Sequence, residues 1–505
     1  MDIIKIKRII SFILSIICFA ALVGCNKDYN SVKADKELVF GTTSSTKSLD
    51  PANGYSGWYT VRYGVAETLF KLSSSMEIEN WLADGYEYIN PTTVKIILKK
   101  NIKFQNGKEM TSESVKKSIM RSVQKNVRAA STLNIESIET GENYIVIKTT
   151  KENPTLINEL CDPYASIIDV DEENINEKPI GTGPFKVESF DYTSASTFVK
   201  NNDYWNGDVK LDSLKVISIT DSDILSMALQ SGEIDAAQGL SYAMIDQFSK
   251  DNKYKIDTVD TSRVMVLYFN EENKLLKNYK IRQAINAIID SNKEKYCSSI
   301  LNNQAKPALG MFSSNTNYAL KEEKSSLTKE EAIQILKEEG AVGLSNKGKA
   351  LRLVTYSSKP ELPNVAQAIQ YDLGSAGIDV EISIKENIDD FLSTGDFDLA
   401  LYSNITSSTG DSAAYLANVV KNNGSLNYGS YKNEEVNKLI DKLNTELDKS
   451  IRDKTAIEIQ KIVLKDEAYN FIAHMKMSFV MKSNIKGLTP HQTDYYEFNA
   501  DTYIE

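Results

Sequence analysis

The stretch GYSGWYTVRYG, residues 54–64, sets aromatic rings and a guanidinium where they could grip a small ligand. Read as a helix from about Trp58, it turns Val61, Val65 and Leu69 onto one face at four-residue spacing. Trp58 and Arg62, also four apart, fall on another. Tyr, Trp and Arg are enriched where proteins bind, so Tyr55, Trp58 and Arg62 are candidate ligand contacts. The alternative is that the rings pack this helix on a sheet while Arg62 reaches solvent. Covalent chemistry finds no support. The sequence has no Gly-x-Ser-x-Gly, no HExxH and no Cys–His context for a nucleophile, so no enzyme is expected. GTGPF at 181–185 lacks the Lys-Ser/Thr of a phosphate-binding loop and reads as a turn. His474 and His491 are the only histidines, neither with a partner at ligand spacing, so neither a protein metal site nor a cofactor is expected.

The 505 residues carry a formal charge of −11 with no Lys/Arg cluster in the body of the chain, which argues against a nucleic-acid partner. Their length points to two or three lobes. At the N-terminus, Lys5, Lys7 and Arg8 precede IISFILSIICFAALVGC. A basic flank, a short apolar run and small residues at the exit read as a secretory signal, and the run is shorter than the ~20 residues of a spanning helix. Its end, ALVGC, resembles a bacterial lipobox. Residues 1–24 are then a lipoprotein signal peptide, Cys25 the lipidated residue and 25–37 a polar tether, on the outer face of a membrane. Cleavage removes one acid and three bases and leaves about −13. Cys161 and Cys297 read as isolated thiols, although a pairing is not excluded by spacing.

Positioning such residues falls to an α/β body. TSESVKKSIMRSVQKN places Val115, Ile119 and Val123 on one helical face, with Thr111 or Ser112 to cap it. TKEEAIQILKEEG opens on a capping box, Thr328 to Glu331, and stops at Gly340. LRLVTYS reads as a buried strand, the next helix carries Val365, Ile369 and Leu373, and Ile378, Val380, Ile382 and Ile384 alternate as a second strand. That is a βαβ unit with parallel sheet. FDLALYS supplies another strand, ending at Ser403 in the polar loop NITSSTGDSAAY, a location where α/β sheets place ligands.

Several segments together resemble extracellular solute-binding protein family 5, the receptors of peptide and nickel ABC importers. They are SLDPANGY, ETLFKLSSSMEIENWLADGYEY, IILKKNIKFQNGKEMTSESVKKSI, KPIGTGPFKVESF, NNDYWNGD, ALQSGEIDAA and LYFNEENKLLKNYKIRQAINAIID, in family order from about residue 38 onward. Trp205 and Arg282 within them read as packing residues. The resemblance implies a two-lobed, periplasmic-binding-protein-like α/β clamshell of class II, cluster C type. Lobe one would comprise 38–263 plus 483–505 with an inserted subdomain at about 70–178, and lobe two 264–482. It also implies a monomer that captures a small peptide, or alternatively a nickel chelate, and delivers it to permease subunits. A sensory or chaperone-like clamshell is the alternative of another class.

The resemblance places Tyr55 at a ligand-contacting tyrosine of nickel-chelate receptors and Arg128 near their carboxylate-binding arginine, a role that suits a bidentate side chain. Tyr164 stands about where those receptors have an arginine, a departure from the nickel pattern. Asp411 matches the place of an aspartate that holds a peptide's ammonium, or makes an Asx turn. The resemblance implies that the chain crosses between the lobes near Val264–Asn270 and again near Met475–Ser483; His474 borders the second crossing, where it could touch a chelate or serve only as a hinge residue.

Overall fold

The computed structural model describes residues 36–322, 327–343 and 350–505. The signal segment, the lipobox and Cys25 lie outside them.

A single eleven-stranded sheet runs through both halves of the protein. From one edge its strands are Val380–Ile384, Leu351–Thr355, Leu399–Ile405, Tyr254–Phe269, Tyr469–Lys482, Ala236–Gln238, Glu37–Thr42, Ser213–Ser218, Ala195–Lys200 and Phe185–Ser189, with Ala305–Pro307 paired beside Tyr469–Lys482. The expected βαβ unit is present: Leu351–Thr355 and Val380–Ile384 are parallel, joined by the helix Glu361–Ser375. Leu362, Val365, Ile369 and Leu373 of that helix are fully buried, which is why the four-residue spacing is visible in the sequence.

Two long antiparallel strands, Tyr254–Phe269 and Tyr469–Lys482, span the molecule. Val264–Phe269 and Phe471–Met475 belong to a large core built on the βαβ unit. Tyr254, Ile256 and Met477–Met481 pack instead with the cores around Glu37–Thr42. One core's packing therefore gives way to the other's near Met475–Met477. Between the two cores the ladder is interrupted: its register shifts between Asp260 and Val264. Thr261, Ser262 and Arg263 leave the pairing with Tyr469–Lys482 there, while Arg263 stays opposite Ile405. A bulge of this kind re-aims side chains without dismantling the sheet.

A separate antiparallel sheet, Ala83–Asn90, Thr93–Leu98, Tyr144–Thr149 and Ile135–Thr140, is covered by the helix Ser112–Lys125. Val115 and Ile119 press on Val94, Ile96, Ile145 and Ile147 in the core of this subdomain, each such side chain contributing ~1.5–3 kcal/mol by leaving water. Thr111 makes the cap, accepting from the Ser114 amide while the Ser114 side chain accepts from Thr111. Just before the subdomain, Glu67 draws segments of lobe one together, accepting from Thr182 (2.7 Å), Tyr204 (2.6 Å) and Trp205 Nε1 (2.7 Å). GTGPF and NDYWNG thus meet on one buried carboxylate, and burial pushes its pKa up to about 7.

The opening run departs from the helical expectation. The helix spans only Gly57–Arg62, and Gly64 takes φ +65°. Val65 and Leu69 are fully buried, but in non-helical chain. Long-range geometry accounts for the stop. A Cβ on Gly183 would lie 2.2 Å from the Gly64 carbonyl oxygen, and one on Gly181 2.2 Å from that of Val65. The glycines let the two segments touch and exchange backbone hydrogen bonds, Gly183 to Val65 (3.1 Å) and Phe185 to Gly64 (3.0 Å).

Candidate functional site

The interrupted stretch of the long strands opens onto a cavity of about 290 Å³ between the lobes. Arg263 enters from the bulge where the two lobes meet, Lys359 from the loop after Leu351–Thr355 and Glu361 from the first turn of the helix Glu361–Ser375. Lobe one contributes Trp58, Gln238, Asp494 and Tyr495. The wall is therefore assembled from distant parts of the chain, at the ends of sheet strands.

Its charges are uneven. Among the described residues, neither Arg263 nor Lys359 has a carboxylate within ion-pair distance, although Glu361 shares the wall with them. Burial, and then the neighbouring Arg263 charge, push the Lys359 ammonium below its usual pKa. Two cations on one wall with no carboxylate at ion-pair distance form a receptacle for an anion, and carboxylates suit it. Asp494 across the cleft is already engaged. Its Oδ2 accepts from Arg62 Nη2 and its Oδ1 from Gln238 Nε2 (2.6 Å). Among the described residues no group of three or more His, Cys, Asp or Glu could hold a metal ion.

Of the residues expected at the site, Trp58 lines this cavity. Its Nε1 is buried without a partner, and its ring centre lies 5.7 Å from that of Tyr495 and 4.9 Å from that of Tyr55. Tyr55 is exposed, with the Arg128 guanidinium 4.4 Å above its ring. Arg128 pairs with Asp162 at 2.6 Å and also lies 5.2 Å from the centre of the Tyr164 ring. Tyr55, Trp58, Arg128 and Tyr164 thus form one aromatic and cationic cluster beside the cavity. Tyr164 is its buried end, its hydroxyl donating to Glu159 (2.8 Å).

Three expected residues lie elsewhere. Arg62 is buried behind the wall, paired with Asp494 and 3.7 Å from Glu497, and its Nε donates to the Asp494 carbonyl (3.1 Å). Burial, then the Asp494 charge, push the Glu497 carboxyl well above the carboxylate range, so Arg62 and Asp494 balance one to one. Asp411 accepts from the Ala413 amide (2.7 Å) in an Asx turn and pairs with Arg452 (2.6 Å), so its charge is satisfied within lobe two. His474 sits in the long strand, 7% exposed, and burial drives its pKa down to about 4. It is a neutral ring inside the sheet and not part of the cavity wall. Cys161 and Cys297 are free thiols, both buried.

Arg263, Lys359, Gln238 and Asp494 escaped sequence reasoning. Lys359 had a usable signal: it follows a buried strand of the βαβ unit, the same kind of place that drew attention to the loop after Ser403. Arg263 is a lone charge at the head of the apolar run VMVLYF. Asp494 and Gln238 had none.

The lobes also touch outside the cavity. Asn158 donates to the Thr409 carbonyl (2.9 Å) and Thr409 to Glu159 (3.3 Å). Glu77 meets Lys449 (3.2 Å) and accepts from Asn317 (2.7 Å).

Residues 77–427 match the bacterial extracellular solute-binding proteins, family 5. The chain belongs to that family. Its members are solute-binding proteins and not enzymes, and the two-lobed α/β architecture expected from the sequence is theirs. The nickel-binding protein NikA of Staphylococcus aureus is 30% identical over 506 aligned residues, which cover 99% of this chain and 100% of that one. The nickel ABC transporter structure from Bacillus halodurans superposes with a TM-score of 0.83 at 30% identity, covering 93% of this chain and 100% of its own. The structure of Staphylococcus aureus NikA in complex with Ni(L-His)2 has a TM-score of 0.76 at 30% identity, with the same coverage. Among the described residues no helix is long and apolar enough to cross a membrane.

Proposed function

We propose that this chain is the solute receptor of an ABC importer, and that its cargo is a nickel ion already wrapped in a small, carboxylate-bearing chelator of the amino-acid type. The observation that carries this reading is the pair Arg263 and Lys359, unpaired in a cavity where the described residues offer no set of metal ligands. The cations take the chelator's carboxylates, and the chelator supplies the metal's donors. The 30% identity to NikA over the whole chain supports nickel as the cargo metal, and the Ni(L-His)2 complex of that relative has this chemistry. The cavity lies at the small end of ligand pockets and suits one or two amino-acid units. Lobe closure on the cargo creates the surface that a permease reads.

A short peptide is the second reading. Its terminal carboxylate would meet the same two cations, and Glu361 on the same wall is a carboxylate for its ammonium. Calorimetric titration of the purified protein decides between them. Nickel with L-histidine is expected to bind tightly, and each alone weakly. Tight binding of di- or tripeptides, with no heat from the nickel–histidine mixture, would overturn the nickel reading. Lipidation at Cys25 is part of this proposal as the tether to the outer membrane face. Cys25→Ser should move the protein from the membrane fraction to the medium, and unchanged retention would refute it.

A further inference from the structure

One neutral donor on the cavity wall is shared between the lobes. Tyr242 opens the helix Tyr242–Phe248, which follows the strand Ala236–Gln238, and Ile245 and Phe248 bury that helix in a core of lobe one. The Tyr242 ring packs on this core and also on the large core built on the βαβ unit. It lines the cavity together with Arg263, Lys359 and Glu361. Packing accounts for the ring but not for the hydroxyl. Buried tyrosine hydroxyls ordinarily find a partner. Around the large core, Tyr268 meets Asn404 (2.7 Å), Tyr296 meets Asp372 (2.6 Å), Tyr402 meets Asp389 (2.7 Å) and Tyr469 meets the Val419 carbonyl (2.9 Å). The Tyr242 hydroxyl has no hydrogen-bond partner among the described residues, and it is not sealed from solvent. The two side-chain charges that act on it, Glu361 and Arg263, both stand in the cavity wall. Burial, then the Glu361 charge, push the phenol above its usual pKa against the pull of Arg263, so it stays protonated and donates.

We propose that the Tyr242 hydroxyl donates to the same cargo carboxylate that Arg263 and Lys359 attract, so that lobe one supplies the neutral member of a three-donor carboxylate site. This rests on the reading of the cavity as the cargo site, and it adds to that reading a specificity-determining contact from lobe one. A carboxylate offers about four acceptor positions, more than two cations exhaust. A neutral donor also suits a place beside Glu361: carrying no charge, it is not drawn into an ion pair there and stays free for a ligand. The three donors select against a carboxamide, whose NH2 would set donor against donor. Because the Tyr242 ring packs on both cores, its hydroxyl meets that carboxylate only where the two lobes come together.

Titrations of the full chain with two matched pairs of probes test it. The pairs are nickel with L-histidine against nickel with L-histidinamide, and alanyl-alanine against alanyl-alaninamide. For whichever pair binds, the wild type is expected to prefer the carboxylate form at least about tenfold. Tyr242→Phe keeps the ring and is expected to weaken the carboxylate form about tenfold, the usual scale of one hydrogen bond to a charged group, and the amide form no more than about twofold. The ratio between the two members cancels any loss of folded protein that affects both. Binding confined to the peptide pair would remove the nickel reading, and the role of Tyr242 is then scored on that pair. An unchanged preference in Tyr242→Phe, or an equal loss for both members, would overturn the inference and leave the cargo reading standing. Equal wild-type affinity for both members would overturn the carboxylate site and the inference with it. If the wild type binds neither pair, the reading of the cavity as the cargo site falls, and this inference falls too.

Discussion

The arginines buried in lobe one and the two cations that face the cleft are used differently. Arg62 is taken by Asp494, Arg121 by both oxygens of Asp50 (2.7 and 2.6 Å), and Arg128 by Asp162. Arg263 and Lys359 have no such partner among the described residues, and they face the cavity. A buried charge already balanced by the fold holds the fold together, because losing one partner strands the other. A charge that the fold leaves unbalanced is available to a ligand. Composition and spacing cannot tell these cases apart. Whether an arginine has a partner is decided by chain from elsewhere, 432 residues away for Arg62 and Asp494.

The largest expected effect lies on the balanced side. Arg62→Ala leaves Asp494 without its cation and should destabilise the protein by about 3–5 kcal/mol. Thermal unfolding reads this directly, and an unchanged melting temperature would erase the distinction between the two sets of cations. Next comes the unbalanced side. Arg263→Ala should weaken carboxylate-bearing cargo by about 1.5–3 kcal/mol, roughly 10–100-fold, while stability moves by no more than about 0.5 kcal/mol. A loss of stability with affinity intact would place Arg263 with Arg62 instead.

The third expected effect is read as a trend with pH and concerns a lobe-one carboxyl balanced by neither route. Glu67 receives three neutral donors, and burial raises its pKa to about 7 from a usual value near 4.5. The folded state therefore holds this proton more tightly than the unfolded chain. The stabilisation is complete below about pH 4.5 and is lost as pH rises through about 7. His474 runs the other way: with its pKa lowered to about 4, its contribution fades as pH falls from about 6.5. The difference in melting temperature between wild type and Glu67→Gln isolates the first trend. The variant's melting temperature minus the wild type's should increase as pH rises from about 5 to about 8, and a difference independent of pH would contradict the raised pKa.

Local order was largely legible in the sequence. The capping boxes at Thr111 and Thr328, the helix Glu361–Ser375 and the parallel pair around it follow from neighbours a few residues apart. Trp205 as a packing residue and Arg282 as a helix support were also readable. Arg282 is buried and donates to the carbonyls of Leu276, Asp466 and Glu467. The opening run was only half legible. Val61 is buried on a helix as its spacing suggests, but the helix stops at Arg62 because Gly181 and Gly183 bring a distant segment against Gly64 and Val65. The cavity was the least legible part. Its walls are completed by Arg263, Lys359, Gln238 and Asp494, each unremarkable among its sequence neighbours.

The contacts of Glu77 and Asn158 with lobe two lie outside the cavity wall. If the lobes close on cargo as proposed, these contacts favour the shut arrangement without lining the cavity, and they would set how often the empty receptor is shut. A ligand's apparent affinity is its intrinsic affinity scaled by the fraction of molecules in the competent state. On that reading the rim of the cleft would act as a gain control: substitutions there would change how much cargo is held at a given concentration while leaving unchanged which cargo is preferred.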